Sequence, residues 1–402
     1  MIRKINLKRM RERLSFSSIL PIGVLFIFLF LLFSCNRRKE IPASVETEQN
    51  DSIDAIIEID TIPRTSISFI LGKDNSEFNQ YYGLANYYYR LNPEDKTEIV
   101  IDSLISILEV SNYLANNPPK NGRPYGLINL VSHGNEFVDL KALVYPKGPR
   151  TSTESLEKAI QDSVFIPLDT TIIDKKSLIY MHGCAIGNNQ KLLTNIGIAL
   201  GSKTNGVKVK ASKLFEYYTY LSKNKNPKSI RRYFAKNWYA FYHPDSIPGH
   251  EEFARRFSER YPSDSVNWLE GAKRRFQSNP AELYHFSFVV PAQWEELYTE
   301  ESHVPKVNTR LRRQEWLMNN QPFLDLLDKT QVPLEYFQFK YYKPKYTQKS
   351  DTVYALQVRG KAGVVCLIQP LLAENDSLKA RFEPLNPAED DPFFFEFSES
   401  DE

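Results

Sequence analysis

Between residues 66 and 212, short apolar runs alternate with longer amphipathic stretches. Residues 66–71, 98–101, 125–132, 177–182 and 207–211 have the length and β-branched or aromatic content of buried strands. Residues 79–90, 103–116, 152–161 and 187–200 place their apolar side chains at helical spacing. Strands alternating with helices predict an α/β fold with a mostly parallel sheet and helices on both faces. Ligands of such sheets bind outside the carboxyl ends of the strands.

Beyond residue 223 the pattern changes. Residues 229–241, 250–261, 265–276 and 310–329 read as helices, and 285–290 as a late strand completing the sheet. Residues 352–359 and 364–370 are β-rich and flank Gly360-Lys361-Ala362-Gly363, which predicts a hairpin in a C-terminal α+β extension. The expected organisation is a leader over 1–35, a tether over 36–64, an α/β domain over 65–295, and an accessory region with an acidic tail over 296–402.

The N-terminus decides the compartment. Arg3, Lys4, Lys8, Arg9, Arg11 and Arg13 precede an apolar stretch from Ile19 to Phe33, which is the layout of an export signal. That stretch is shorter than the roughly 20 residues that span a bilayer comfortably, and Pro21 and Gly23 weaken it as a permanent helix. Leu32-Phe33-Ser34-Cys35 resembles a bacterial lipoprotein signal, which implies lipidation of Cys35 and a lipid-anchored chain in the cell envelope, outside the cytoplasm. An uncleaved signal anchor is the alternative, and both readings join the protein to a membrane. Residues 36–64 contain no aromatic side chain and are rich in Glu, Asp, Thr, Ser and Pro. Such a segment buries too little apolar area to order itself, and as a coil it reaches about 30 Å.

The net charge of +2 predicts no strong attraction to nucleic acid. Arg231 to Trp238 interleaves basic and aromatic residues, and reads as a solvated helix face above a packed aromatic one. Three cysteines, one of them Cys35, leave no disulfide framework; Cys366 lies in an apolar run where a buried free thiol is the ordinary expectation. There is no phosphate-cradling Gly-rich loop and no Zn-finger spacing, so neither cofactor nor metal is expected. A site built from His133, His182 and Cys184 would lack a fourth ligand at suitable spacing.

Two of the strand-like runs end in reactive groups. Leu127-Ile128-Asn129-Leu130-Val131 leads into Ser132-His133-Gly134, and Leu178-Ile179-Tyr180-Met181 into His182-Gly183-Cys184. A His and a Cys are the two groups a thiol hydrolase needs. His133-Gly134 and Cys184-Ala185-Ile186-Gly187, separated by about 50 residues, resemble the motifs of the caspase-like cysteine peptidases, the group of caspases, metacaspases, legumain, clostripain and gingipain. The likeness covers residues 65–212.

It implies a caspase-like fold and an endopeptidase that forms a thioester at Cys184. His133 would move the proton, and the backbone amides of Gly134 and Cys184 would hold the oxyanion. A helix starting near Gly187 would aim its N-terminus at the thiol. Just before the Cys, where those enzymes often carry an acidic or amide residue, this chain has His182-Gly183. Substrate-binding candidates are Asp74 and Glu136, each acidic and near a strand end, and His182; a turn or cap is the alternative for Asp74. The expected partners are a peptide or protein substrate and the membrane. A catalytically inactive relative serving as a binding scaffold is the second reading.

Overall fold

The alternating segment folds as a parallel sheet, in a computed structural model that describes residues 63–75, 80–92, 97–201, 207–220, 224–274, 283–348, 351–371 and 394–397. In chain order its elements are β1 (Ser66–Ile70), α1 (Tyr81–Leu91), β2 (Ile99–Ile101), α2 (Ile107–Asn116), β3 (Leu127–Val131), a small hairpin of β4 (Gly134–Asn135) and β5 (Asp139–Leu140), α3 (Thr153–Gln161), β6 (Leu178–His182), α4 (Gln190–Leu200) and β7 (Lys208–Ser212). Five strands run parallel in the order β2, β1, β3, β6, β7. A strand near the C-terminus, β14 (Phe394–Phe397), adds antiparallel to β7. The helices start where polar side chains take up otherwise unbonded amides: Ser106 accepts from Glu109 N–H, Ser152 and Ser155 form a reciprocal capping box, and Asn189 accepts from Leu192 N–H.

The two faces of this sheet are covered differently. On one, Ile67, Phe69, Ile128, Leu130, Ile179, Met181, Val209 and Ala211 pack beneath α2, α3 and α4 in a continuous apolar core. On the other face, among the described residues, lies α1, whose Tyr81, Tyr82, Tyr88 and Tyr89 meet Ile70 and Val131 together with Tyr218 and Ile230. The rest of that side is closed by a second sheet.

That sheet is antiparallel and accounts for most of the departures from the sequence reading. Its strands are β8 (Phe215–Tyr220), β9 (Ile230–Tyr242), β10 (Tyr284–Tyr298) and β13 (Asp351–Pro370), in the order β10, β13, β9, β8, with β11 (Phe337–Tyr342) and β12 (Lys345–Gln348) also paired to β13. The helix expected over 229–241 is therefore a strand. Trp238, Ala240 and Tyr242 enter one core cluster while Tyr239 and Phe241 enter another, the period-2 division of a strand buried on both sides. Bulky aromatic residues favour such a surface, and this outweighs the charge pattern that resembled a helix face.

The hairpin expected at 360–363 is also absent, because β13 runs straight through it. Its glycines make room rather than turns. A Cβ on Gly360 would stand 2.8 Å from the Phe339 ring, and one on Gly363 would stand 2.3 Å from the Tyr242 ring. The expected late strand exists as β10, but it pairs with β13 from Tyr284 opposite Ile368 to Tyr298 opposite Tyr354, and does not join the parallel sheet. The boundary expected between residues 295 and 296 falls inside β10.

Three smaller differences concern helices. Residues 250–261 give α5 (His250–Arg260), and in the described part of the 265–276 stretch the helix is α6 (Trp268–Lys273). The long helix expected over 310–329 is broken at Asn320 into α7 (Arg310–Asn319) and α8 (Gln321–Asp328), with the Asn320 side chain capping the second. The leader, Cys35 and the tether up to residue 62 lie outside the described residues. Arg64, at the end of the expected tether, is held in the fold by a bidentate pair with Asp174 at 2.7 and 2.9 Å. No helix among the described residues is long and apolar enough to cross a membrane.

Candidate functional site

Strands β3 and β6 are neighbours in register, with Val131 opposite His182. The Ser132 N–H donates to the His182 carbonyl at 3.0 Å and carries the pairing one residue further. His133 and Cys184 thus leave the carboxyl edge from adjacent strands, whose backbones lie about 5 Å apart in such a sheet. Gly183 permits the close approach, since a Cβ there would stand 3.1 Å from the Ser132 carbonyl oxygen.

α1 holds the imidazole. Tyr81 stacks on His133 with ring centroids 4.5 Å apart, Tyr82 meets it at a steep angle at 4.8 Å, and the Tyr82 hydroxyl oxygen accepts the His133 backbone N–H at 3.0 Å. The Nε2 atom of His133 is buried and has no hydrogen-bond partner among the described residues. Burial, assisted by the nearby Lys141 ammonium, pushes the imidazole down to about 4.

Cys184 is half-buried and free, and its Sγ donates to the Glu216 carbonyl at 3.7 Å. Burial pushes this thiol up to about 12, and the Glu216 side chain adds to the rise. At neutral pH the resting pair is a thiol and an uncharged imidazole. The next residue, Ala185, has φ 56° and ψ 21°, the left-handed region that costs a non-glycine residue roughly 1–2 kcal/mol. Its N–H donates to the Leu214 carbonyl at 2.9 Å, and its side chain sits in the core of the antiparallel sheet. This bend carries Cys184 toward β8.

The helix expected at Gly187 does not begin there. Residues Ile186–Asn188 form one tight turn and α4 starts at Gln190, so no long helix opens directly behind the thiol. Gly187 is instead pressed against β7, where a Cβ would stand 2.6 Å from the Ala211 carbonyl oxygen. Gly134 is tight for a similar reason. A Cβ on it would stand 2.3 Å from the Asp139 carbonyl oxygen across the β4–β5 hairpin.

Two of the three substrate-binding candidates, Asp74 and His182, are hydrogen-bonded within the fold. Asp74 accepts from the Tyr82 and Gly83 amides at 3.0 and 2.8 Å, so its carboxylate caps the first turn of α1. Glu136 lies beside the Tyr239 hydroxyl and Asn188; burial raises its carboxyl while these neighbours and Arg260 pull it back. His182 is fully buried and does not line an open pocket. Its Nδ1 meets Glu216 Oε1 at 2.7 Å, and its Nε2 meets the Tyr89 hydroxyl at 2.8 Å and Asn129 Oδ1 at 2.9 Å.

His182 is the centre of a polar network that the sequence reading missed. Asn129 Nδ2 donates to Ser68 Oγ at 3.0 Å, and Ser68 bonds Thr97 at the same distance, so the network crosses β6, β3 and β1. On the other side, the Tyr218 hydroxyl donates to Glu216 Oε1 at 3.2 Å, and an Arg232 guanidinium nitrogen lies 3.9 Å from the same oxygen. A signal was present in the sequence. Asn129 interrupts an apolar run, and Glu216 is a lone acid among Phe215, Tyr217 and Tyr218; buried polar residues of this kind need partners.

Among the described residues, no three or more His, Cys, Asp or Glu side chains are grouped to hold a metal ion. Comparison of the chain with protein-family models, curated proteins and solved structures finds no match.

Proposed function

We propose that this chain is a caspase-like cysteine endopeptidase, carried on a lipid-anchored chain in a bacterial cell envelope. The observation that carries the reading is the placement of His133 and Cys184 two residues beyond one register pair, at the carboxyl ends of adjacent parallel strands. The order and spacing of the two motifs add to it. The membrane attachment rests on the basic and apolar leader that ends at Cys35.

In this reading His133 takes the Cys184 proton as the sulfur attacks the scissile carbonyl. The tetrahedral oxyanion rests on the Gly134 and Cys184 amides. Collapse breaks the C–N bond, the imidazolium returns its proton to the leaving amine, and water then hydrolyses the thioester. The uncharged resting pair requires substrate binding or processing to bring the two groups within hydrogen-bond reach.

The test is labelling of the folded protein with a panel of peptide acyloxymethyl ketones. Labelling at Cys184, lost in Cys184→Ala and weakened in His133→Ala, is the expected result. Absence of any label at Cys184, with peptidase activity surviving in Cys184→Ala, would overturn the reading.

A second reading is favoured by one observation, the high-lying thiol bonded to a backbone carbonyl. A catalytically inactive scaffold would need no thiolate. It predicts partner capture that survives both His133→Ala and Cys184→Ala.

A further inference from the structure

We infer that the proposed peptidase selects a bulky aromatic side chain next to the scissile bond, not a basic or acidic one. The inference rests on the reading of Cys184 as nucleophile. It stands on a belt of aromatic rings joining the loop after His133 to the strand that holds the thiol.

The belt starts at Phe137, three residues beyond Gly134. Its ring lies 6.2 Å from Phe288, which stacks on Phe286 at 5.5 Å; Phe286 is 5.9 Å from Phe215, and Phe215 is 6.4 Å from Tyr217. Phe215 and Tyr217 flank Glu216, whose carbonyl accepts from Cys184, so the belt ends beside the sulfur. Phe215 is buried, whereas Phe137, Phe286, Phe288, Tyr217 and Cys184 are all half-buried and pack on the same cluster. Four partly exposed rings beside one partly exposed thiol offer an apolar, stacking surface at the point where the substrate would be cut.

The chemistry of the neighbouring acids points the same way. A basic side chain would need an ionised carboxylate facing it, yet Asp74 caps α1, and burial pushes the Glu136 carboxyl toward its neutral form. An acidic side chain would need a cation. The Arg232 guanidinium lies among Tyr88, Tyr180 and Phe234, next to Glu216, and the Lys141 ammonium stands on the His133 side, 6.0 Å over the Tyr82 ring. Aromatic rings also exclude water from the acyl group, which favours an apolar neighbour over a charged one.

The experiment uses the folded protein and three acyloxymethyl ketone probes identical except for Phe, Lys or Asp next to the warhead. Labelling of Cys184 at least about 10-fold faster with Phe is expected, the discrimination an apolar pocket gives a well-fitting side chain. Phe286→Ala should reduce the ratio of the Phe rate to the Lys and Asp rates. Should Phe286→Ala fail to fold, Tyr217→Leu, which keeps bulk but removes the aromatic ring, gives the same readout. Faster labelling with Lys or Asp, or a preference for Phe that both variants retain in full, would overturn the aromatic subsite and leave the peptidase reading standing. No labelling by any probe would remove the peptidase reading and this inference with it.

Discussion

The two faces of the parallel sheet are made of opposite materials. Toward α2, α3 and α4 every inward strand position is aliphatic or aromatic, and the packing is the ordinary interior of an α/β protein. Toward α1 and the antiparallel sheet the same strands present Ser68, Asn129, Tyr180, His182 and Lys210, each almost wholly buried. An apolar face gains stability from area alone and tolerates small shifts. A polar face is stable only when its groups meet at hydrogen-bond distance, so it fixes relative position. The polar face belongs to the strands that bear His133 and Cys184, and its network reaches the α1 helix and the β8 strand that hold those side chains. Stability and positioning are thus assigned to opposite sides of one sheet.

The sharpest way to break this contrast is to remove one member of the polar pair. Glu216→Ala leaves His182 facing an empty site and should cost about 3–5 kcal/mol in urea unfolding. Leu130→Ala on the opposite face should cost about 2–5 kcal/mol by opening a cavity. The two differ in coupling: Glu216→Ala combined with His182→Leu should cost less than the sum of the two single losses, because the bond between the pair is lost once, while Tyr89, Asn129, Tyr218 and Arg232 each lose a partner in one single variant or the other. An additive loss in the double variant would mean that the polar face is held by packing, not by pairing.

A smaller effect comes from pH. The folded His133 imidazole lies at about 4, below its ordinary 6.5, so between these values the unfolded chain binds a proton that the folded chain refuses. The contribution is fully present above about pH 6.5, is lost as pH falls, and levels off below about pH 4, with a span of about 3 kcal/mol. The thiol gives the mirror case, since its rise to about 12 means stability lost as pH climbs above 9. Unfolding midpoints at pH 5 and pH 7 should draw closer together in His133→Asn than in the parent protein. An unchanged gap would place the acid sensitivity elsewhere.

The smallest expected effect concerns the α1 cap. Asp74→Ala should cost about 1 kcal/mol, measured by the same unfolding, because two helix amides lose their acceptor. If it altered substrate preference without altering stability, the carboxylate would be reading substrate after all.

What the sequence determined by itself was the local pattern. The five parallel strands, the helices between them and the places where His133 and Cys184 leave the sheet follow from the alternation of apolar runs and amphipathic stretches, because each element buries one face over a short length of chain. Asp74 reads in the sequence either as a substrate-binding acid or as a turn or cap, and the fold decides for the cap. The antiparallel sheet was not legible in the same way. β9 looked helical because charged and aromatic residues happen to recur at short spacing, and β13 looked like a hairpin because its glycines resemble turn residues. Only the contacts with Tyr242 and Phe339, distant in sequence, show why those glycines lie in a straight strand. Tertiary structure likewise decided the meaning of His182. Its neighbours in sequence placed it beside Cys184, while Glu216, Asn129 and Tyr89, from three other elements, turned it into the centre of a buried network. Chain neighbours set the period of a segment; long-range pairing sets which groups meet across it, and that is where the positioning of this site resides.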